Sequence, residues 1–213
     1  MTPRPYTLGK RQAAAEETRS QIVAAARDLL GADAGAAGFS IDAVARAADV
    51  ARMTVYHRFG SRAGLLEALF DDLAERGELA RRLPAAFAEP EPLAALDAFV
   101  AAFGRFWSAD RLLVRRLNAL AVLDPEIAMG NRARQERGLH GARVVVGRLA
   151  ECHGRPDPAA LDEAATVLWV LTGFETFDAL AGPDRSPIEV VPLVQRLVRA
   201  AFGFGPDATS PTV

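Results

Sequence analysis

Apolar side chains recur along this chain at intervals of three and four residues. No segment alternates convincingly from one residue to the next, so the pattern predicts helices throughout. The first helix is expected over 16–30, where Ile22, Val23, Ala26, Leu29 and Leu30 share one face. Gly31, Gly35 and Gly38 mark the loop after it. Ser40 suits the cap of a second helix over 41–48, Asp49 to Ala51 form a turn, and a third helix covers 52–59. Gly60 breaks that helix, and Ser61 caps a fourth that runs to Arg82 and buries Leu65, Leu66, Leu69, Phe70 and Leu73. Beyond Pro84, Pro90 and Pro92 the helical period returns over 92–108, 110–122, 130–153, 158–181 and 187–203. The breaks are expected at Asp124-Pro125, Gly154 to Pro158, and Gly182 to Pro187. Residues 1–15, with Pro3, Pro5 and Gly9, read as a flexible arm, and 206–213 as a disordered tail.

The segment from Phe39 to Leu66 has the outline of a helix-turn-helix, two short helices across a tight turn with another helix following at once. The second short helix is the one that would enter a major groove, which admits a single helix. Arg52, Met53 and Thr54 lie at its N-terminal end, where base edges are reached, and an arginine there can fork onto guanine. Phosphate contact or simple solvation would also account for Arg52. Tyr56 and His57 are aromatic but polar enough to reach phosphate oxygens, and Arg58 adds charge. Val55 and Phe59, four apart, are expected to face Val44, Ala47 and Val50; a core position is the lesser alternative for Tyr56.

These residues resemble the TetR family of transcriptional regulators. The family pattern is a capped helix, a turn, then T-[VIL]-Y-x-x-F, a small polar residue, a basic residue and a leucine pair. Here it stands as Thr54-Val55-Tyr56-His57-Arg58-Phe59-Gly60-Ser61-Arg62 followed by Leu65-Leu66. Glu17-Thr18-Arg19 through Leu30 is similar to the family's first helix, so the resemblance covers about residues 16–75. It implies an all-α fold, with a three-helix DNA-binding domain over 16–62 and a helical effector-binding and dimerisation domain over 63–205. It also implies that Thr18, Thr54, Tyr56, His57 and Arg62 contact phosphates, that Ser40 lies near them, and that Arg52 and Met53 face bases. Two positions depart from the pattern: Asp49 stands where a glycine is common in the turn, and Ala51 where a hydroxyl residue often caps the recognition helix. A missing cap costs about 0.5–2 kcal/mol, and Asp49 is the candidate to replace part of it.

Charge changes the picture little. Residues 1–62 hold nine basic and six acidic side chains against 16 and 21 in the remainder, a mildly basic head on an acidic body. The single cysteine, Cys152, excludes an intrachain disulfide, and His140 and His153 lack the further ligands of a metal site. No apolar run reaches 18 residues and no apolar signal core opens the chain, so a cytoplasmic location is expected, with no membrane partner. No nucleophile–base set, phosphate loop or carboxylate pair supports an enzyme, and no cofactor is implied.

The remaining chain matches the family only in architecture. Family architecture puts the last two helices, 158–181 and 187–203, in a four-helix interface with a second copy, with Phe174, Phe177, Leu193, Arg196, Leu197 and Ala200 as the expected contacts. The run to Ala181 is apolar around nearly its whole circumference, which suits burial on more than one side. Glu175 and Asp178 could pair with Arg196 or Arg199 across that interface, or be solvated. Phe99, Phe103, Phe106, Trp107, Leu117, Leu120 and Trp169 are either core or the wall of a pocket for a hydrophobic effector. Arg115, Arg116, Asn118 and Arg143 are candidates for its polar contacts. The expectation is a homodimer that binds a quasi-palindromic DNA operator and represses until a small molecule releases it. The alternatives are a DNA-binding regulator without an effector, and a helical module for protein contact.

Overall fold

The computed structural model describes residues 6–33, 35–123, 125–153 and 158–204, and among these residues there is no strand. The helices are α1 (Tyr6–Gly31), the single turn α2 (Gly35–Gly38), α3 (Ile41–Ala47), α4 (Arg52–Phe59), α5 (Arg62–Arg76) and α6 (Leu79–Ala88). They continue with α7 (Pro92–Ser108), α8 (Arg111–Leu123), α9 (Pro125–His153), α10 (Pro158–Thr172), α11 (Phe174–Ala181) and α12 (Val191–Ala201). A 3₁₀ turn over Pro187–Val190 leads into α12. The expected tail 206–213, residues 1–5 of the expected arm, Asp124 and the break over 154–157 lie outside the described residues.

The chain forms two compact units. One takes the chain up to Asp72 together with Arg115–Gly130; the other takes Leu73–Val114 and the chain from Asn131 on. In the first, α1 packs on α2 and α3, and α3 on α4. Ile22, Val23, Ala26 and Leu30 of α1, Ile41, Val44, Ala45 and Ala48 from the α3 segment, Val55 of α4 and Leu65, Leu66 and Leu69 of α5 make up its core. Arg116 belongs to this unit and donates to the Leu30 and Ala32 carbonyls, satisfying acceptors that the C-terminus of α1 leaves open.

In the second unit α7 is the central element, packed against α6, α10, α11, the 3₁₀ turn and α12. Its Ala95, Leu96, Phe99, Val100, Ala102, Phe103, Phe106 and Trp107 are all buried. Glu91 caps the helix, accepting from the Leu93 and Ala94 amides, and Pro92 opens it without wasting a donor. Arg111 donates to the Asp178 carboxylate and to the Asp178, Gly182 and Arg185 carbonyls, and so ties the start of α8 to the end of α11.

Five expectations need correction. Residues 6–15, read as arm, are the first turns of α1. Gln12 and the run Ala13–Ala15 are strong helix formers, and they outweigh Gly9. The helix expected to run to Arg82 ends at Arg76. A Cβ on Gly77 would stand 2.7 Å from the Phe106 Cα, so the chain needs a glycine to pass α7. Glu78 follows in the left-handed region at φ 57°, its carboxylate held below the usual range by hydrogen bonds from Arg82 and Arg81. Pro84, read as a boundary, lies inside α6.

The single helix expected over 158–181 is broken at Gly173 into α10 and α11, which meet at a 47° bend. α10 is not buried all round, because Val170 is 59% exposed. No single described helix is long and apolar enough to cross a membrane.

Candidate nucleic-acid interface

The turn and helices that position α4 belong to the first unit. Ser40 adopts extended backbone and its hydroxyl accepts from the Ala43 amide, which starts α3. The end of α3 is held from α1, where Gln21 Nε2 donates to the Ala48 carbonyl at 2.9 Å. Asp49 then takes φ 50°, a conformation that aspartate tolerates better than most residues, so the turn works without glycine. Val50 N closes the turn on the Ala45 carbonyl at 3.0 Å. Ala51 precedes α4 with no side-chain cap, so Asp49 does not supply the missing one. Gly60, at φ 74°, ends α4 by returning its amide to the Tyr56 carbonyl.

The α4 helix turns Val55 fully inward. Phe59 is only half-buried, with the Arg19 guanidinium of α1 4.9 Å above its ring. Ala47, expected beneath these residues, is exposed, and Ala45 and Ala48 take the inner positions instead. Four-residue spacing stacks Tyr56 beside Arg52 and His57 beside Met53, with Met53 and His57 opposite Val55 and Arg52 and Tyr56 on the adjoining flank. Arg52, Met53, His57 and Arg58 are exposed, and Thr54 and Tyr56 are half-buried. Met53 is 58% exposed, an apolar side chain in water with no packing role.

Arg52 is engaged on this face. Its Nη1 lies 3.3 Å from the Asp42 carboxylate and its Nη2 donates to the Tyr56 hydroxyl at 3.3 Å. The Tyr56 hydrogen bond first, and the Asp42 charge second, raise the guanidinium pKa above its already high ordinary value, so the group is a fixed cation. Thr18 spends its hydroxyl proton on the Ala14 carbonyl at 2.9 Å, leaving oxygen lone pairs as acceptors. The Arg62 guanidinium lies 5.6 Å from the Phe39 ring centroid. Thr18, Ser40, Arg52, Met53, Thr54, Tyr56, His57 and Arg62 therefore all sit in one unit. Asp42, Gln21 and Arg19 were not singled out from the sequence, because nothing in the helical period marks a partner on another helix.

The residues expected to line an effector pocket are divided. Leu117 and Leu120 are buried in the first unit. Phe99, Phe103, Phe106, Trp107 and Trp169 belong to the second, where they form a connected aromatic cluster. Phe103 stands 5.0 Å from Phe99 and 5.9 Å from Trp169, and Trp107 stands 4.3 Å from Phe106 and 5.5 Å from Phe174, between centroids. Trp107 Nε1 donates to the Thr172 carbonyl at 2.9 Å. Trp169 is half-buried, the others buried. Of the polar candidates, Arg116 is held by α1 carbonyls, and Arg143 pairs with Asp162 at 2.8 Å on the surface.

Two of the expected dimer contacts, Phe174 and Phe177, are buried within the chain itself. Asp178 is paired with Arg111, and Arg199 with Asp97, within the same subunit rather than across to a copy. Arg196, Leu197 and Ala200 are exposed and Leu193 half-exposed, along one face of α12.

Residues 22–69 match the family model of the bacterial regulatory proteins of the tetR family. No curated protein matches the chain in sequence. Among solved structures the fold is similar to native NalD, the secondary repressor of the MexAB-OprM multidrug efflux pump in Pseudomonas aeruginosa. The TM-score is 0.68 at 21% identity, over 92% of this chain and all of that one. It is also similar to the TetR family regulator PfmR from Thermus thermophilus, with a TM-score of 0.61 at 22% identity, over 83% of this chain and 96% of that one. A third is the transcriptional regulator FadR from Bacillus subtilis in complex with stearoyl-CoA. Its TM-score is 0.62 at 16% identity, over 84% of this chain and 96% of that one.

Proposed function

We propose, from the match of residues 22–69 to the tetR family model, that the chain is a homodimeric repressor of that family, released from a quasi-palindromic operator by a small hydrophobic effector. The observation that carries the DNA-binding part is the outer face of α4. Arg52, Met53, Tyr56 and His57 share it, backed by a fully buried Val55 that fixes the helix on its domain. Arg52 and Met53 present a forked donor and an apolar surface, matched to a guanine edge and a thymine methyl. Ser40, Thr54, Tyr56, His57 and Arg62 supply groups able to meet phosphate oxygens, and Thr18 joins them when its hydroxyl proton turns from the Ala14 carbonyl.

One eight-residue helix supplies too little affinity by itself, so two copies act together, their recognition helices about 34–36 Å apart. The dimer contact we assign is the outer face of α12, with Leu193, Arg196, Leu197 and Ala200, continued by the exposed Val170 of α10. The effector is assigned to the aromatic cluster of the second unit, where half-buried Trp169 is the member nearest solvent. The fold shared with a regulator solved with stearoyl-CoA supports an apolar ligand class. Release requires the effector to favour the DNA-incompetent state, by about 10⁴-fold, or 5.5 kcal/mol, for a near-complete switch.

The test is fluorescence anisotropy of the purified protein on duplexes tiling the DNA that flanks its own coding region, with an unrelated duplex as control. Tight binding to one quasi-palindrome, weakened by salt and by Arg52→Ala, supports the proposal. Equal, salt-insensitive signals on every duplex oppose it.

A further inference from the structure

The Arg52 guanidinium is engaged before any DNA arrives. It lies between two partners of its own domain, the Asp42 carboxylate and the Tyr56 hydroxyl, each 3.3 Å away, with its carbon 5.5 Å from the Tyr56 ring centroid. Asp42 lies in the first turn of α3 and Arg52 in the first turn of α4, so the pair spans the two helices of the helix-turn-helix. The Arg52 and Asp42 side chains are 56% and 52% exposed, so the pair lies open on the outer surface of the domain.

Resting on the DNA-binding reading above, we propose that Asp42 is a specificity-determining positioning residue: it holds Arg52 aimed at a base edge and keeps it from pairing with phosphates of any sequence. An arginine side chain on a helix is long, and when free it reaches whichever anion is nearest. On DNA that is a phosphate, and a phosphate contact carries no sequence information. Held on one side by Asp42 and on the other by Tyr56, the fork is biased toward one rotamer before DNA arrives. The guanidinium has five donors, so two bonds to the protein leave others for a guanine edge. The Asp42 carboxylate also repels any phosphate that approaches the same fork. Asp42 contacts no DNA in this arrangement and acts only through Arg52.

The experiment first uses the wild-type protein to recover a preferred duplex from a randomised pool. Affinity for that duplex and for an unrelated duplex is then measured across a salt series, for wild type, Asp42→Asn, Arg52→Ala and the double variant. Asp42→Asn is expected to tighten binding to the unrelated duplex by about 1.4- to 5-fold, the range an exposed ion pair is worth. Its salt slope there should steepen by about 0.9, one further phosphate, while affinity for the preferred duplex does not rise, so discrimination narrows. In the Arg52→Ala background the same substitution should leave discrimination unchanged. Thermal melting of each variant reports whether the domain stays folded. Equal tightening on both duplexes, no tightening on the unrelated one, or the same effect without Arg52 would overturn the role of Asp42 and leave the DNA-binding reading intact. Failure of the wild type to bind any duplex at low salt would remove both.

Discussion

Trp169 of α10 lies so close to Gly138 of α9 that a Cβ at residue 138 would overlap the indole Cζ3. The same indole makes an edge contact with Phe103 of α7, 5.9 Å between centroids, so one glycine decides where the outermost member of the aromatic cluster rests. Gly138→Ala is expected to push the ring toward solvent. The helix gains about 1 kcal/mol of propensity, against about 1–3 kcal/mol of overpacking, so the net change in stability is small or unfavourable. A red-shifted tryptophan emission beside a modest loss in urea stability is the expected outcome. An unchanged spectrum would contradict the contact.

Ala51 stands at the N-cap of α4 with extended backbone and no side-chain hydrogen bond. Ala51→Ser supplies the missing acceptor. It is expected to raise stability by about 0.5–2 kcal/mol, read as a higher denaturation midpoint at unchanged slope.

Arg111 and Asp178 are 19% and 22% exposed, and Arg111 also satisfies three carbonyls around the end of α11. Arg111→Met removes the charge and all of these bonds. The expected loss is about 2–3 kcal/mol, below the range for a fully buried pair because water reaches both groups. Arg111→Lys, which keeps the charge but loses the fork, should fall between the two in urea denaturation.

Leu197 is 39% exposed beside Arg196 and Ala200. If α12 is the dimer face, Leu197→Glu should shift the sedimentation coefficient toward the monomer and weaken operator binding by more than an order of magnitude, with the subunit melting nearly unchanged. A dimer that persists would move the interface elsewhere.

The elements that carry their own punctuation were legible in the sequence. α4 lies between a turn and Gly60, and α7 begins at Glu91-Pro92, so their observed limits, Arg52–Phe59 and Pro92–Ser108, agree with the expected ones. Two other breaks were not legible. Gly77 interrupts a helix because α7 passes there, and Gly173 divides an apolar run whose period continues across it. Apolar character announced that Phe174 and Phe177 are buried, but a period cannot say whether the burying surface belongs to the same chain or to a copy. The outer face of α4 was legible because spacing alone defines it. The engagement of Arg52 by Asp42 was not, since it joins two helices across a turn whose geometry rests on the positive φ of Asp49.

The central claim is that α4 reads DNA as one of a symmetric pair. The measurement that tests it most directly is a titration of a fluorescent duplex, recovered from a randomised pool, with sedimentation used to count the protein bound. The account predicts two subunits per duplex and two inverted half-sites whose centres lie about 10 bp, or a multiple of that, apart. It also predicts an affinity that falls linearly with the logarithm of salt and falls at least tenfold in Arg52→Ala. A folded protein that enriches no sequence and binds no duplex at low salt would contradict it.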